Sequence, residues 1–141
     1  MIDIEPIVYT TVHDAIIAAF PECTVSDLPP EATAKFPFVS IQESGNRTYR
    51  RSLDTDLYEH HATVVYDINV YSDKQVGRKS ECKAILNVAD HTMQGMKFVR
   101  IMKNELPTVN RTIMRMHARY EAVVEEPEID GDNKTFQMYR R

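Results

Sequence analysis

Ala62-Thr63-Val64-Val65-Tyr66-Asp67-Ile68-Asn69-Val70-Tyr71-Ser72, followed by a turn region at 73–77 and by residues 78–96, decides how this chain folds. In the first part Val64, Tyr66, Ile68 and Val70 fall on one side, and Val65, Asp67, Asn69 and Tyr71 on the other. A period of two in β-branched and aromatic residues predicts a strand with one face in a core. The period then changes. Cys82, Ile85, Val88 or Ala89, Thr92 or Met93, and Met96 recur every three or four residues, which describes one stripe of a helix. Ser80 is placed to cap the body of that helix, its hydroxyl accepting from a backbone N–H one turn on. The strand therefore hands over to a helix that folds back across its apolar face. That pair is the expected centre of the fold.

Working outward, 141 residues suit a single domain, 1–141, with one sizeable core. A hydrophobic content of 43% with 27% charged residues fits a globular protein in water, and no apolar run approaches the roughly 20 residues of a membrane span. The start, Met-Ile-Asp-Ile-Glu-Pro, is acidic and lacks the basic region of a secretory signal. Cys23 and Cys82 have no metal-type spacing and are read as reduced thiols in a cytosol. The net charge of −4 is unevenly spread. Asp3, Glu5, Asp14, Glu22, Asp27 and Glu31 precede the first basic residue, Lys35. Lys97, Arg100, Lys103, Arg111, Arg115 and Arg119 later face only Glu105. Such an asymmetry allows self-association through complementary patches, or pairing within the chain.

Ile4, Val8, Val12, Ile16 and Phe20 form a helical stripe, with Asp3 and Glu5 at its positive end, Pro6 in its first turn and Pro21 beyond its end. Residues 21–35 read as a connecting loop. Residues 36–43 read as a short strand, with Val39 and Ile41 on one face and Pro37 near its start. Residues 44–58 read as a long polar connection, with a turn at Gly45-Asn46 and with Arg47, Tyr49, Arg50, Arg51, Asp54 and Asp56 as a candidate interaction loop. Residues 97–103 read as a further strand, broken by 104–108. In 112–124, Met114, Met116, Ala118, Tyr120, Ala122 and Val124 alternate against Arg115, His117, Arg119 and Glu121, which predicts a strand with one charged face. A turn around Asp130-Gly131 and a last strand at 135–139 complete the chain. The expected class is α+β, a mainly antiparallel sheet of about four to five strands packed by two helices, in the order α-β-β-α-β-β-β.

Chemical motifs are sparse. Asp67 with Glu81-Cys82-Lys83 matches the acid and Glu-x-Lys pattern of metal-dependent nucleases, in which acids hold the cation and lysine stabilises charge. Those residues belong at a strand end, whereas here Glu81 opens a helix, where an acid is simply favourable. On that reading Glu81→Ala should barely matter. His60 and His61, with Asp56 and Glu59 nearby, are ligand types, but adjacent strand residues point to opposite faces, so solvated surface histidines are expected. Asp130-Gly131-Asp132-Asn133 lacks the acid spacing and closing glutamate of a calcium loop. Four glycines form no phosphate loop, and no nucleophile–base–orienter set is evident. His13, His91 and His117 stand singly. Neither an enzyme nor a cofactor nor a metal site is expected. Arg115, His117 and Arg119, beside Lys97 or Arg100 of a neighbouring strand, offer a basic surface that nucleic acid would meet without sequence readout. The alternative is a solvent face paired to Glu121 and Glu105.

The order of pieces resembles one family. These are the helix ending in Phe20-Pro21, Phe36-Pro37-Phe38-Val39-Ser40-Ile41, residues 64–72, the lysine-containing helix with Ile85 to Met93, Phe98-Val99-Arg100, residues 115–124, and Tyr139-Arg140. Together they look like the tail terminator, or tail-completion, proteins of long-tailed bacteriophages. The resemblance implies a small α+β subunit of a hexameric ring that caps the tail tube, ends its polymerisation and meets head completion proteins. It implies a virion protein made in the host cytoplasm, partnered by tail tube protein, with DNA passing through the channel and no membrane contact. It places 47–56 as the loop bordering the channel, and Arg115, His117, Arg119 and Glu121 as a channel or inter-subunit face. A small metal-dependent nuclease, a generic protein-binding adaptor and a neighbouring head–tail connector ring are the alternatives.

Overall fold

The two alternating rows at 62–70 and 116–124 each need cover on one side, and the architecture supplies it. The computed structural model describes residues 2–31, 34–48, 61–106, 108 and 112–125, with the backbone of 128–130 and 133–135. Along the chain come α1 (Glu5–Ala19), β1 (Thr24–Ser26), β2 (Phe38–Thr48), β3 (His61–Ser72), α2 (Arg78–Gly95), β4 (Val99–Leu106) and β5 (Met114–Glu125). A small hairpin, β6 (Glu128–Asp130) with β7 (Asn133–Thr135), follows. The five main strands form one mixed sheet in the order β1-β2-β3-β5-β4, antiparallel except for the parallel pair β1–β2. This is the expected α+β class, two helices on a largely antiparallel sheet.

Both helices lie on the same side. Val64, Tyr66, Ile68 and Val70 of β3 and Met116, Tyr120 and Val124 of β5 are buried with Val8, Val12 and Ile16 of α1 and Cys82, Ile85, Ala89 and Met93 of α2. Each fully buried aliphatic side chain of this kind contributes roughly 1.5–3 kcal/mol of burial free energy. The two core tyrosines bring hydroxyls that require partners. Tyr66 donates to Glu43 Oε1 at 3.1 Å and Tyr120 to Asp90 Oδ1 at 2.7 Å, so each ring packs apolar and ends on a carboxylate. Burial, followed by the neighbouring carboxylate, pushes both phenol pKa values well up, and the hydroxyls stay protonated donors. Cys82 is wholly buried, and its Sγ faces the Val70 and Met114 carbonyls at 3.8 Å each.

Several expectations are corrected. The observed order opens α-β-β-β-α-β-β, because residues 21–35, read as loop, contain β1. Three residues show no period, and β1 gains its place by pairing in parallel with β2 and by the Thr24 N–H donating to the Pro37 carbonyl at 3.0 Å. β2 continues through residues 44–48 instead of turning at Gly45-Asn46. A bulge between Glu43 and Gly45 absorbs the irregularity, and Asn46 then faces the helices, its amide donating to the Ile2 carbonyl at 2.7 Å. Arg47 is therefore a strand residue, paired with Thr63. Ser80 does not cap α2. Gly77, at φ +82°, precedes the first helical residue, and the Glu81 N–H reaches the Gly77 carbonyl. β4 starts after Lys97, whose φ of +70° closes α2 with Phe98 N–H to Met93 carbonyl and Lys97 N–H to Gln94 carbonyl. It runs to Leu106, past the expected break at Asn104. The Asp130-Gly131 turn and the strand at 135–139 fall outside the described residues, apart from Asp130 and Asn133, which pair across the hairpin, and Thr135, which ends β7. No helix among the described residues is long and apolar enough to cross a membrane.

Ile85 sits at the centre of the α2 stripe with no exposed surface. Ile85→Ala should lower stability by about 2–5 kcal/mol. Ile85→Asp, which buries a charge without a partner, should abolish cooperative thermal unfolding; a sigmoidal melt near that of the native protein would contradict the core assigned here.

Candidate functional site

The side of the sheet away from the helices carries the polar half of each alternating row. On β3 this half is Thr63, Val65, Asp67, Asn69 and Tyr71. On β5 it is Arg115, His117, Arg119 and Glu121, as the alternation at 112–124 predicts. The antiparallel register sets Asp67 opposite Arg119, Asn69 opposite His117 and Tyr71 opposite Arg115. Cross-strand neighbours and diagonals at this spacing can touch.

They do so around one carboxylate. Asp67 Oδ1 accepts from Arg119 Nε at 2.9 Å and lies 2.7 Å from His117 Nε2. An ionised carboxylate can only accept, so the Nε2 proton lies between them. Arg119 Nη2 is 3.5 Å from Oδ2. One diagonal on, Arg115 Nε donates to Asn69 Oδ1 at 3.0 Å, and its guanidinium sits 5.6 Å from the Tyr71 ring centroid. Phe38 of β2 meets the Tyr71 ring edge-on. His117 is 7% exposed and Asn69 4%, so these groups are held with little water. Burial pushes the Asp67 pKa up, but hydrogen bonds from Arg119, His117 and Ser44 and the Arg119 charge outweigh it and hold the carboxyl below its ordinary range. The same contact raises Arg119 further.

The candidate face is thus brought together, but its counter-charges are not the expected ones. Glu105 stands opposite Met116, on the helix-bearing side, and pairs with Lys79 at 3.0 Å. Arg100 stands opposite Tyr120 and binds Asp90 at 3.0 Å, also on the helix side. Lys97 precedes β4. None of the three joins Arg115, His117 and Arg119. His117, which reads as solitary in the sequence, has an orienting acid two strand positions away. The sequence holds no local signal for this, since residues 67 and 117 meet only through the β3–β5 register. Of the interaction loop, Arg47 is placed on the helix-free side by its pairing with Thr63. Tyr49, Arg50, Arg51, Asp54 and Asp56 lie outside the described residues, as do Glu59 and His60.

The nuclease pattern does not assemble. Asp67 is on the helix-free side, whereas Glu81 on α2 accepts from Ser72 Oγ at 2.7 Å and approaches Lys74, and Lys83 is exposed. Glu81 thereby ties the start of α2 to the end of β3, so its removal should matter more than its place at a helix start implies. His61 is half-buried, with Nε2 3.9 Å from Glu125, and not solvated. No group of three or more His, Cys, Asp or Glu residues among the described residues is arranged to hold a metal ion. Comparison with models of protein families and with curated proteins finds no match.

Asp67→Asn should destabilise the fold by about 1–3 kcal/mol, since it strips the charge-assisted acceptor from a buried imidazole and a guanidinium. The sign with pH follows from the lowered carboxyl. Its contribution is complete above the unfolded value of about 4 and is lost as pH falls through the folded value. The gap between native protein and variant in urea melts should therefore hold at neutral pH and close in acid. A gap that widens in acid would contradict this account.

Glu81→Ala should cost about 1 kcal/mol by freeing the Ser72 hydroxyl, measured as a shift in urea midpoint without a change in slope.

Proposed function

We propose that this chain is a ring-forming virion assembly protein of the tail-terminator type. In this reading, copies close into a ring, hexameric by the resemblance, that caps the tail tube of a long-tailed phage. The ring ends tube polymerisation and joins the tail to head completion proteins. The observation that supports it best is the two-sidedness of the sheet. One side is sealed by α1 and α2, and the other carries a fixed polar lattice of Asp67, Asn69, Arg115, His117 and Arg119. A channel wall needs such a surface: hydrophilic, rigid and close to charge balance, so that DNA passes without being held. Arg115 and Arg119 already have partners within the sheet, which limits the counterion release that drives tight binding to phosphates. Arg47, paired with Thr63, adds an exposed basic side chain to the same side of β2.

Native mass spectrometry of the protein alone and with purified tail tubes tests this reading, together with tube lengths measured by electron microscopy. The expected result is a closed ring bound at tube ends and a halt to tube growth. A protein that stays monomeric with tubes present, and leaves their length unchanged, would overturn it.

A further inference from the structure

The two edges of the sheet differ in charge, and both expose apolar side chains. β4 is one edge. Val99 and Ile101 on it are 67% and 51% exposed, although most side chains of their size lie in the core. Lys103 is exposed on the same strand and forms no ion pair among the described residues. An edge strand with exposed apolar residues is a template for association unless something covers it. β1 is the opposite edge, with Leu28 just beyond it at 62% exposed. Beside β1 is a hollow of about 310 Å³ lined by Asp3, Glu5 and Asp27 with Pro6 and Tyr9. No basic residue occurs in the first 34 positions, so its acids gain no counter-charge from their own segment. The crowding is visible in two neighbours. Burial first, then Glu5 and Asp3, raise the Glu43 carboxyl despite hydrogen bonds from Tyr66 and Asn46. Burial and Asp27 raise the Tyr9 phenol.

We propose that the β4 edge of one copy docks on the β1 edge of the next. Val99 and Ile101 cover Leu28, and Lys103 enters the acidic hollow beside Asp27. A second copy is the occupant because this chain carries both halves of the match. A symmetric β4–β4 pairing centred between Ile101 and Met102 would set Lys103 of each copy opposite Arg100 of the other, which like-charge repulsion opposes. Side chains carry the joint more than a backbone ladder does, since the Tyr9 hydroxyl already donates to the Val25 carbonyl at 3.1 Å on the β1 edge. The contact is heterologous, so it propagates from copy to copy and closes if the rotation allows. It rests on the ring reading only in needing self-association.

The test is a charge swap in the full chain. Assembly of the native protein, Lys103→Glu, Asp27→Lys and the double variant is followed by sedimentation velocity and native mass spectrometry, with and without tail tubes. Both substitutions sit on exposed side chains, so melting temperatures should match. Each single variant should assemble about tenfold more weakly or worse, and the double variant should recover most of the loss. Ile101→Cys alone should give no disulfide-linked dimer on oxidation. Assembly that ignores both single changes, or is not recovered in the double variant, overturns this joint and leaves the ring reading standing. So does an Ile101→Cys dimer, which would place β4 against β4. A native protein that never associates overturns both.

Discussion

Everything in this fold follows from one constraint: a twelve-residue strand, β3, with an unbroken apolar row on one side only. Such a row must be covered, and a single helix cannot cover a strand of this length together with its neighbours. α2 crosses the end nearer its own turn, and α1, arriving from the other end of the chain, completes the layer. The strand's length also dictates its neighbours. β2 and β5 must run as far as β3 or leave its backbone groups unpaired. That requirement outweighs the poor strand propensity of Ser44-Gly45-Asn46, and the bulge is how the chain meets it.

The layer is fastened by polar groups that end on carboxylates. Tyr66 reaches Glu43, Tyr120 and Arg100 share Asp90, and Ser72 reaches Glu81. Each fastening joins an element to a partner distant in sequence or binds a helix to the sheet. The helix-free side repeats the arrangement with Asp67 as acceptor. Among the described residues four acids thus anchor these fastenings, and the sheet keeps two chemically different sides while sharing one backbone. That difference matters for a subunit proposed to wall a channel with one side and carry its core on the other.

What the sequence made legible is what has a local period. α1, α2, β3 and β5 repeat over three turns or more, or over ten strand positions, so their faces could be assigned. The row Arg115, His117, Arg119 and Glu121 was legible for the same reason. β1 was hidden because three residues carry no period and lie in a short stretch between Pro21 and Pro29-Pro30. The run of β2 past Glu43 was hidden because a bulge shifts the alternation by one, which moves Asn46 from the solvent side to the core side. The partner of His117 was hidden for a deeper reason. Asp67 lies fifty residues away, and only the register, fixed by the whole length of β3 against β5, brings the two together.

The two thiols have a quieter consequence. Cys23 and Cys82 are both buried, and burial, with nearby Glu81, pushes them up to about 11 and about 12. Neither presents a thiolate to oxidants or to exchange partners. Neither thiol of the folded chain therefore takes part in disulfide chemistry that depends on redox potential. Both thiols keep one bonding state in reducing and in oxygenated surroundings alike.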